Sequence, residues 1–269
     1  MARGSGGVQS VHRALDVLEA MQFSDRGVGI SELARELDLP ETTIHRLMST
    51  LLRRGYVRQD PVTRKYLLGP CLIPLGSAAG SVLGTKIQPY LERAVELTGE
   101  TANLAVLDGS EVLYVAQAAS PHKVRTFTEV GSWVLPHNAA VGKVLLAYQP
   151  PAVAERLLRR NGLPTATSKT ITDLDRMMEE LEEVRRRGFA LDLEERVDGV
   201  SCVAVPLWGW DRPLAAISVS GPTSRMSATS FEEVAETLAE VASQASEAFT
   251  GERATTPDRP AASAVERKA

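Results

Sequence analysis

The chain of 269 residues is long enough for about two ordinary domains with cores of normal size. Its 30 Lys and Arg against 34 Asp and Glu give a formal net charge of −4, which excludes a histone-like polycation, and 43% hydrophobic residues exclude wholesale disorder. No stretch approaches the roughly 18 uninterrupted apolar residues of a membrane span, and the N-terminus lacks the apolar region of a secretory signal. With only two cysteines, Cys71 and Cys202, we expect a cytoplasmic protein that needs no disulfide.

The charge is unevenly distributed along the chain. Residues 1–70 hold ten Lys or Arg and eight Asp or Glu, a net charge of +2, which leaves −6 for the remainder. A mildly basic small segment joined to an acidic larger one indicates an anion-binding module attached to a second unit.

The first 70 residues predict three short helices and a hairpin. Ser10 and Ser31 are suitable N-caps for the first two helices, Pro40 fits the start of the third, and Gly55 is a natural residue to end it. This order predicts a winged helix-turn-helix. After the Gly/Ser-rich residues 1–9, predicted to be mobile, the predicted elements are helices over 10–21, 31–37 and 41–54 and strands over 56–59 and 65–68.

The rest of the chain mixes strands and helices. The apolar, Gly-rich residues 69–84 predict a connector, and Asp108-Gly109 predicts a hairpin turn. The order predicts an α+β domain with an antiparallel or mixed sheet, followed by a disordered tail from Thr250. Its predicted helices cover 85–97, 139–148, 151–160, 173–187 and 230–249, and its predicted strands cover 102–107, 112–118, 124–129, 189–193, 202–207 and 214–220.

The third predicted helix separates into an apolar arc and a polar arc at about 100° per residue. The polar arc holds hydrogen-bond donors and small hydroxyls but no acid, which suits base edges and phosphates in a major groove. An ordinary amphipathic helix with a solvated face is the alternative; the tight turn before the helix and the basic hairpin after it favour DNA. The predicted DNA-binding residues are Thr42, Thr43, His45, Arg46, Ser49 and Arg53 on the helix, with Arg64 and Lys65 on the wing.

Several sequence blocks resemble the IclR family of bacterial transcriptional regulators. They are VQSVHRALDVLEAM, ISELARELDLPETTIHRLMSTLLRRGYV and YLLGPCLIPLG within residues 8–76, LPHNAAVGKVLLA at 135–147, and EERVDGVSCVAVPLWGWDRPLAAISVSGP at 194–222. Glu41 departs from the Lys or Arg that members often carry after the turn proline, which removes one phosphate contact. The resemblance implies a repressor, dimeric or tetrameric, in four segments: a winged helix-turn-helix domain over 8–76, a linker helix over 77–100, a GAF-like effector-binding and oligomerisation domain over 101–249, and a disordered tail over 250–269.

The resemblance also implies an effector site in the second domain. Backbone N–H groups at the start of a helix and paired hydroxyls on a strand suit a small carboxylic acid. Several of these positions have plainer interpretations: Ser218 and Ser220 as small residues of a half-buried strand, and Cys202 as a core thiol. Lys143 is either a ligand of the effector or a solvated helix charge, of which we expect the second, and we expect His137 to shape its loop. The implied polar residues are Asp192, Cys202, Ser218 and Ser220, the apolar wall is Phe127, Leu135 and Val200, and the N–H donors are Val141 and Gly142.

The signatures of an enzyme are missing from the sequence. There is no G-x-S-x-G, no phosphate-binding loop, and none of the four histidines pairs with a cysteine or another histidine at ligand spacing. We therefore expect no catalytic residue, cofactor or metal, and three partners: double-stranded operator DNA, a small effector and further copies of the chain. The alternatives are a second domain that only oligomerises, or an enzyme domain fused to a DNA reader.

Overall fold

A computed structural model describes residues 7–22, 24, 26–227 and 229–251. The chain divides into two compact units, Met1–Ser81 and Val82–Ala269. Of the segments predicted to be mobile or disordered, residues 1–6 and 252–269 lie outside the described residues.

The first unit is a three-helix domain with a two-stranded wing. Strands β1 and β2 pair antiparallel, with Val57 opposite Leu68, and β2 also bridges to Val28 in the loop after the first helix. The core consists of apolar side chains from every element, including Val17, Leu33, Ile44 and Met48, each 0% exposed. The predicted winged helix-turn-helix is thus confirmed, and its elements are α1 (Gln9–Met21), α2 (Ile30–Glu36), α3 (Glu41–Arg53), β1 (Val57–Gln59) and β2 (Tyr66–Leu68).

The two predicted serine caps are wrong. Val8 takes the N-cap position of α1 with no side-chain hydrogen bond. Gly29 takes that of α2, where its N–H donates to the Glu32 carboxylate at 2.8 Å. The acid three residues into the helix therefore replaces the predicted hydroxyl as the capping acceptor.

The second unit contains a six-stranded sheet whose strand pairs are all antiparallel, in the order β5-β4-β3-β8-β7-β6. This arrangement confirms the predicted α+β class. The remaining elements are α4 (Leu72–Thr98), β3 (Thr101–Asp108), β4 (Glu111–Ala118), β5 (Trp133–Val134), a 3-10 turn (Pro136–Asn138), α5 (Ala140–Ala147), α6 (Pro151–Asn161), α7 (Leu174–Arg187), β6 (Ala190–Leu193), β7 (Val200–Trp208), β8 (Pro213–Pro222), α8 (Thr223–Met226) and α9 (Phe231–Thr250).

The two faces of this sheet are covered by different helices. On one face, Leu104, Val205 and Ile217 pack against the apolar sides of α9 and of the α4 residues beyond Leu83. On the other face, α5 packs against β6, β7 and β8. Because side chains alternate along a strand, the residues between the apolar ones face α5. Asp173 and Ser230 cap α7 and α9 by accepting backbone N–H groups.

Two predictions of local structure are wrong. The helix predicted from Thr85 begins at Leu72, so most of the predicted connector 69–84 is helical, although the boundary between the two units, after Ser81, does fall within it. The segment 124–129 is irregular rather than a strand. No ladder forms along it; instead Thr126 donates its hydroxyl to the Ser220 carbonyl at 2.8 Å and its own carbonyl accepts the Thr101 hydroxyl at 3.1 Å.

Candidate functional site

The solvent face of α3 is an arc of donors. Ile44, Met48 and Leu51 point into the core, and this fixes which residues face outward. After Glu41 in the first turn, no acid follows on this helix. The structure leaves Thr42, His45, Arg46 and Arg53 exposed, with Thr43 and Ser49 half-buried.

A concavity with a volume of about 1080 Å³ lies beside this arc. Helix α1 contributes Gln9, Ser10 and Arg13 to it, opposite His45 and Arg46 of α3, and the residues that line it include no carboxylate. The cationic and amide donors on this surface attract polyanions, and the apolar side chains of Val11, Leu15 and Leu75 also line it. Arg13 was not among the predicted DNA-binding residues, because helical periodicity separates the two faces of α1 but does not tell which lies beside α3.

The tip of the wing is held by its own hydrogen bonds. The Asp60 carboxylate accepts from the N–H groups of Val62 and Thr63 at 2.9 and 2.7 Å and from the Thr63 hydroxyl at 3.0 Å. These bonds, the one from the Thr63 N–H above all, lower the pKa of Asp60. Arg64 adopts a left-handed backbone with φ +60 and its side chain is exposed. The wing therefore presents Arg64 from a fixed turn.

Lys65 of the wing forms an ion pair with helix α2. Its Nζ lies 3.4 Å from Oε1 of Glu32, the acid that caps α2, and the pair is roughly half exposed. Exposed pairs of this kind contribute about 0–1 kcal/mol and yield to competing anions. Arg58, exposed on β1, is a further cation of the wing that was not among the predicted DNA-binding residues.

In the second unit, the sheet face toward α5 carries a row of polar side chains. Register places Asp192 opposite Cys202, Cys202 opposite Ser220, and Ser220 opposite Thr101. A second row holds Ser218, Asn103 and Gln117. Within these rows Asn103 lies 3.5 Å from the Ser220 hydroxyl and accepts from Gln117 at 3.0 Å. Four implied effector residues are thus brought together: Asp192, Cys202, Ser218 and Ser220.

The polar rows have unusual acid–base properties. Burial, which leaves Asp192 3% exposed, and the nearby Glu195 carboxylate raise the pKa of Asp192 to about 6, against the opposing effect of the Glu195 N–H. Burial and the Asp192 carboxylate raise the pKa of the Cys202 thiol to about 12. Burial also raises the pKa of Tyr114. The face therefore holds a carboxyl that exchanges its proton near neutral pH beside a thiol that stays protonated.

The first turn of α5 adds backbone donors. Val141 and Gly142 are buried in this turn, where N–H groups have no intrahelical partner. A Cβ on Gly142 would lie 2.3 Å from Cα of Pro136, so only glycine allows this close packing. The apolar wall is less uniform: Leu135 and Val200 are half-buried, whereas Phe127 is 81% exposed. Phe127 therefore does not form part of a buried wall around the polar rows, contrary to the implied role.

Lys143 is not the solvated helix charge that we expected. Its side chain is 1% exposed, and its Nζ donates to Oε1 of Glu195 at 2.5 Å and to the Leu191 carbonyl at 3.0 Å. His137 is buried in the 3-10 turn, where its Nε2 lies 3.1 Å from the Pro164 carbonyl. Burial lowers the pKa of His137, so the ring is neutral near pH 7.

A winged helix-turn-helix whose third helix carries exposed donors and no acid after its first turn, in one chain with an α+β domain, defines a DNA-binding transcriptional regulator. Residues 10–61 match the IclR helix-turn-helix domain, and residues 80–247 match the bacterial transcriptional regulator IclR C-terminal domain. The chain belongs to the IclR family of bacterial transcriptional regulators.

Relatives match the chain over nearly its whole length. The HTH-type transcriptional regulator BhcR of Paracoccus denitrificans is 39% identical, covering 91% of this chain and 88% of the relative. The transcriptional repressor IclR of Escherichia coli is 33% identical, covering 94% of each chain. A crystal structure of an IclR homologue from Microbacterium hydrocarbonoxydans, complexed with 4-hydroxybenzoate, superposes with a TM-score of 0.60 at 25% identity, covering 90% of this chain and 99% of the other.

Proposed function

We propose that this regulator represses transcription by placing α3 in the major groove of an operator, with the wing on the adjacent backbone. Arg46 and His45 read base edges, Thr43 and Ser49 contact bases or phosphates, and Arg64 holds the wing on the DNA. The observation that carries the proposal is the acid-free arc of α3 beside a concavity to which α1 adds one further basic residue, Arg13.

Arg46→Ala tests the recognition helix. Arg46 is exposed, so its removal leaves the core of the unit intact, and the loss of a base contact costs about 1–3 kcal/mol, or roughly 5- to 150-fold in affinity. The measurement is fluorescence anisotropy on duplexes that the wild-type chain selects from a random pool. Arg176→Ala, an exposed arginine on α7, is the matched control and should bind like wild type. Equal affinity of the Arg46→Ala variant and the wild type would refute the assignment.

We further propose that the second domain binds a small carboxylic acid, which alters operator affinity. Three features support this: the N–H groups of Val141 and Gly142, the hydroxyls of Ser218 and Ser220, and an Asp192 carboxyl that is able to donate a hydrogen bond when protonated. The homologue crystallised with 4-hydroxybenzoate is a relative bound to a molecule of this class.

A thermal-shift screen of small carboxylic acids tests the effector. An acid at about 100 times its Kd stabilises the folded chain by about 2.7 kcal/mol. Ser218→Ala with Ser220→Ala should lose this stabilisation, whereas Ser77→Ala on α4 should keep it. If no acid in a broad panel stabilises the chain, the effector function loses its support and the alternative, a second domain that only oligomerises, is favoured.

We propose that the working form is a homodimer or a tetramer acting in the cytoplasm as a regulator rather than an enzyme. In the first unit, Val11, Leu15, Ile73 and Leu75 are each at least half exposed, which is unusual for large apolar side chains of a single folded copy. Two copies present two recognition helices, and so match two half-sites. Among the described residues, no helix has the length and apolar character needed to span a membrane. Sedimentation equilibrium of the full chain checks the assembly, and a monomer at micromolar concentration would contradict it.

A further inference from the structure

The buried ion pair of Lys143 and Glu195 is poorly explained by stability alone. The Lys143 side chain is 1% exposed, and Glu195 is 7% exposed. Burying an ammonium and a carboxylate costs several kcal/mol per ion, so such pairs are often no more stabilising than apolar residues of similar volume. The pair is also incompletely satisfied, because Oε2 of Glu195 is buried without a hydrogen-bond partner among the described residues. The arrangement of its contacts offers a different role.

The two acceptors of Lys143 lie on either side of Asp192. The Leu191 carbonyl immediately precedes Asp192, and the Glu195 carboxylate ends the turn that follows. Within that turn, Oδ1 of Asp192 accepts the N–H groups of Glu195 at 2.7 Å and Arg196 at 3.4 Å. One ammonium group therefore holds both ends of the turn whose backbone orients the Asp192 carboxyl.

The same lysine connects this turn to the helix that carries the backbone donors. Lys143 directly follows Val141 and Gly142 in α5, and Gly142 is packed against Pro136. The position of α5 is thus fixed by Pro136 on one side and, through Lys143, by the turn from Asp192 to Arg196 on the other. Other ionisable groups near the ammonium are Glu180, at 3.8 Å, and the neutral His137.

We propose that Lys143 is a positioning residue of the effector site: it fixes the turn from Asp192 to Arg196 so that the Asp192 carboxyl stays beside the Cys202 thiol and the Ser220 hydroxyl. The role in effector binding rests on the function proposed above, but the positioning itself does not. It is measurable with neither DNA nor effector present, because the Cys202 thiol lies next to Asp192 and senses its charge.

The test replaces the ion pair by two apolar side chains, Lys143→Met with Glu195→Met, in the full chain carrying Cys71→Ser. Removing both charges leaves no buried ion unpaired, so the unfolding midpoint should stay close to that of the parent. The measurement is the rate at which iodoacetamide alkylates Cys202 as a function of pH. Only the thiolate reacts, and in the parent the burial of the thiol and the Asp192 carboxylate raise the pKa of Cys202 to about 12, against the opposing effect of the Arg196 guanidinium.

We expect the paired replacement to move the Asp192 carboxyl away from the thiol and to raise the rate of Cys202 alkylation at pH 8 several-fold, because the carboxylate then raises the pKa of the thiol less. Asp192→Asn should raise the rate by a similar factor. The combination of all three substitutions should raise it no further, because both changes remove the same charge from the thiol. Lys169→Met is the matched control, since Lys169 pairs with Glu194 of the same turn at 3.1 Å but does not hold Asp192.

Two results would overturn the proposal. One is a paired replacement whose alkylation profile matches that of the parent. The other is a rate increase that adds to that of Asp192→Asn, which would indicate a general loosening around the thiol. If the paired replacement does not fold, Lys143→Gln with Glu195→Gln removes both charges and keeps polar side chains of similar length, and an unchanged alkylation profile in that variant overturns the proposal equally. A failed acid screen with a positive thiol result would reject the effector function and leave the positioning role standing.

Discussion

Asp192 should make the second domain less stable as the pH rises, and Asp192→Asn should remove this effect. The side chain is 3% exposed, and its pKa lies at about 6 against an ordinary value of 3.8. Between these two pH values the folded chain holds a proton that the unfolded chain has released, so the free energy of unfolding falls with pH. A shift of this size corresponds to a loss of about 3 kcal/mol, complete above pH 6 and absent below pH 4.

Asparagine keeps an oxygen to accept the Glu195 N–H and cannot ionise. We therefore expect Asp192→Asn to raise the free energy of unfolding by about 1–3 kcal/mol at pH 8 and to leave it unchanged near pH 4. Urea unfolding followed by tryptophan fluorescence measures it, since all three tryptophans, Trp133, Trp208 and Trp210, lie in the second unit.

A control in the same turn has the opposite sign. The pKa of Glu194 is lowered, chiefly by the Gly199 N–H, so its contribution to stability is present above pH 4.5 and is lost as the pH falls. Glu194→Gln should therefore weaken the domain at pH 8. An Asp192→Asn difference that is equal at both pH values would refute the reasoning, because it would not depend on the proton.

Two further predictions concern backbone geometry. Gly142→Ala should lower the free energy of unfolding of the second unit by about 1–3 kcal/mol, because the new Cβ meets the Pro136 backbone at 2.3 Å; an unchanged urea midpoint would contradict this packing. Arg64→Gly should raise the free energy of unfolding of the first unit by about 1 kcal/mol, since glycine adopts φ +60 without strain. The same variant should bind DNA more weakly, and the slope of log affinity against log salt concentration should fall in magnitude by about one. Full affinity with an unchanged slope would exclude Arg64 from the DNA interface.

The winged helix-turn-helix was predictable because its signals are local. The apolar spacing of α3, the proline before it and Gly55 after it lie within some 16 residues, and each acts through its own neighbours. The register of the polar rows was only partly accessible. Spacing placed Ser218 and Ser220 on one face, but their position opposite Asn103 and Thr101 depends on a pairing between distant strands.

The errors have a common physical origin in distant contacts. The local sequence predicts Lys143 to be a surface charge on a helix. Its partner Glu195 lies 52 positions further along the chain, so the local pattern does not reveal the buried ion pair. Residues 124–129 have the composition of a strand, yet their polar groups bond to side chains and carbonyls of other segments, so propensity was overridden by tertiary contacts. Helix α4 begins at Leu72 despite Gly76, Gly80 and Gly84, which lower helix propensity without preventing a helix.

The central claim, that α3 reads operator DNA, is tested most directly by selection from genomic fragments. The purified full chain and its Arg46→Ala variant are each incubated with the same fragment library, and the retained DNA is sequenced. We expect the wild type to enrich a small set of fragments that share a sequence with two half-sites, and the variant to enrich none of them. Enrichment of the same fragments by both proteins would contradict the account.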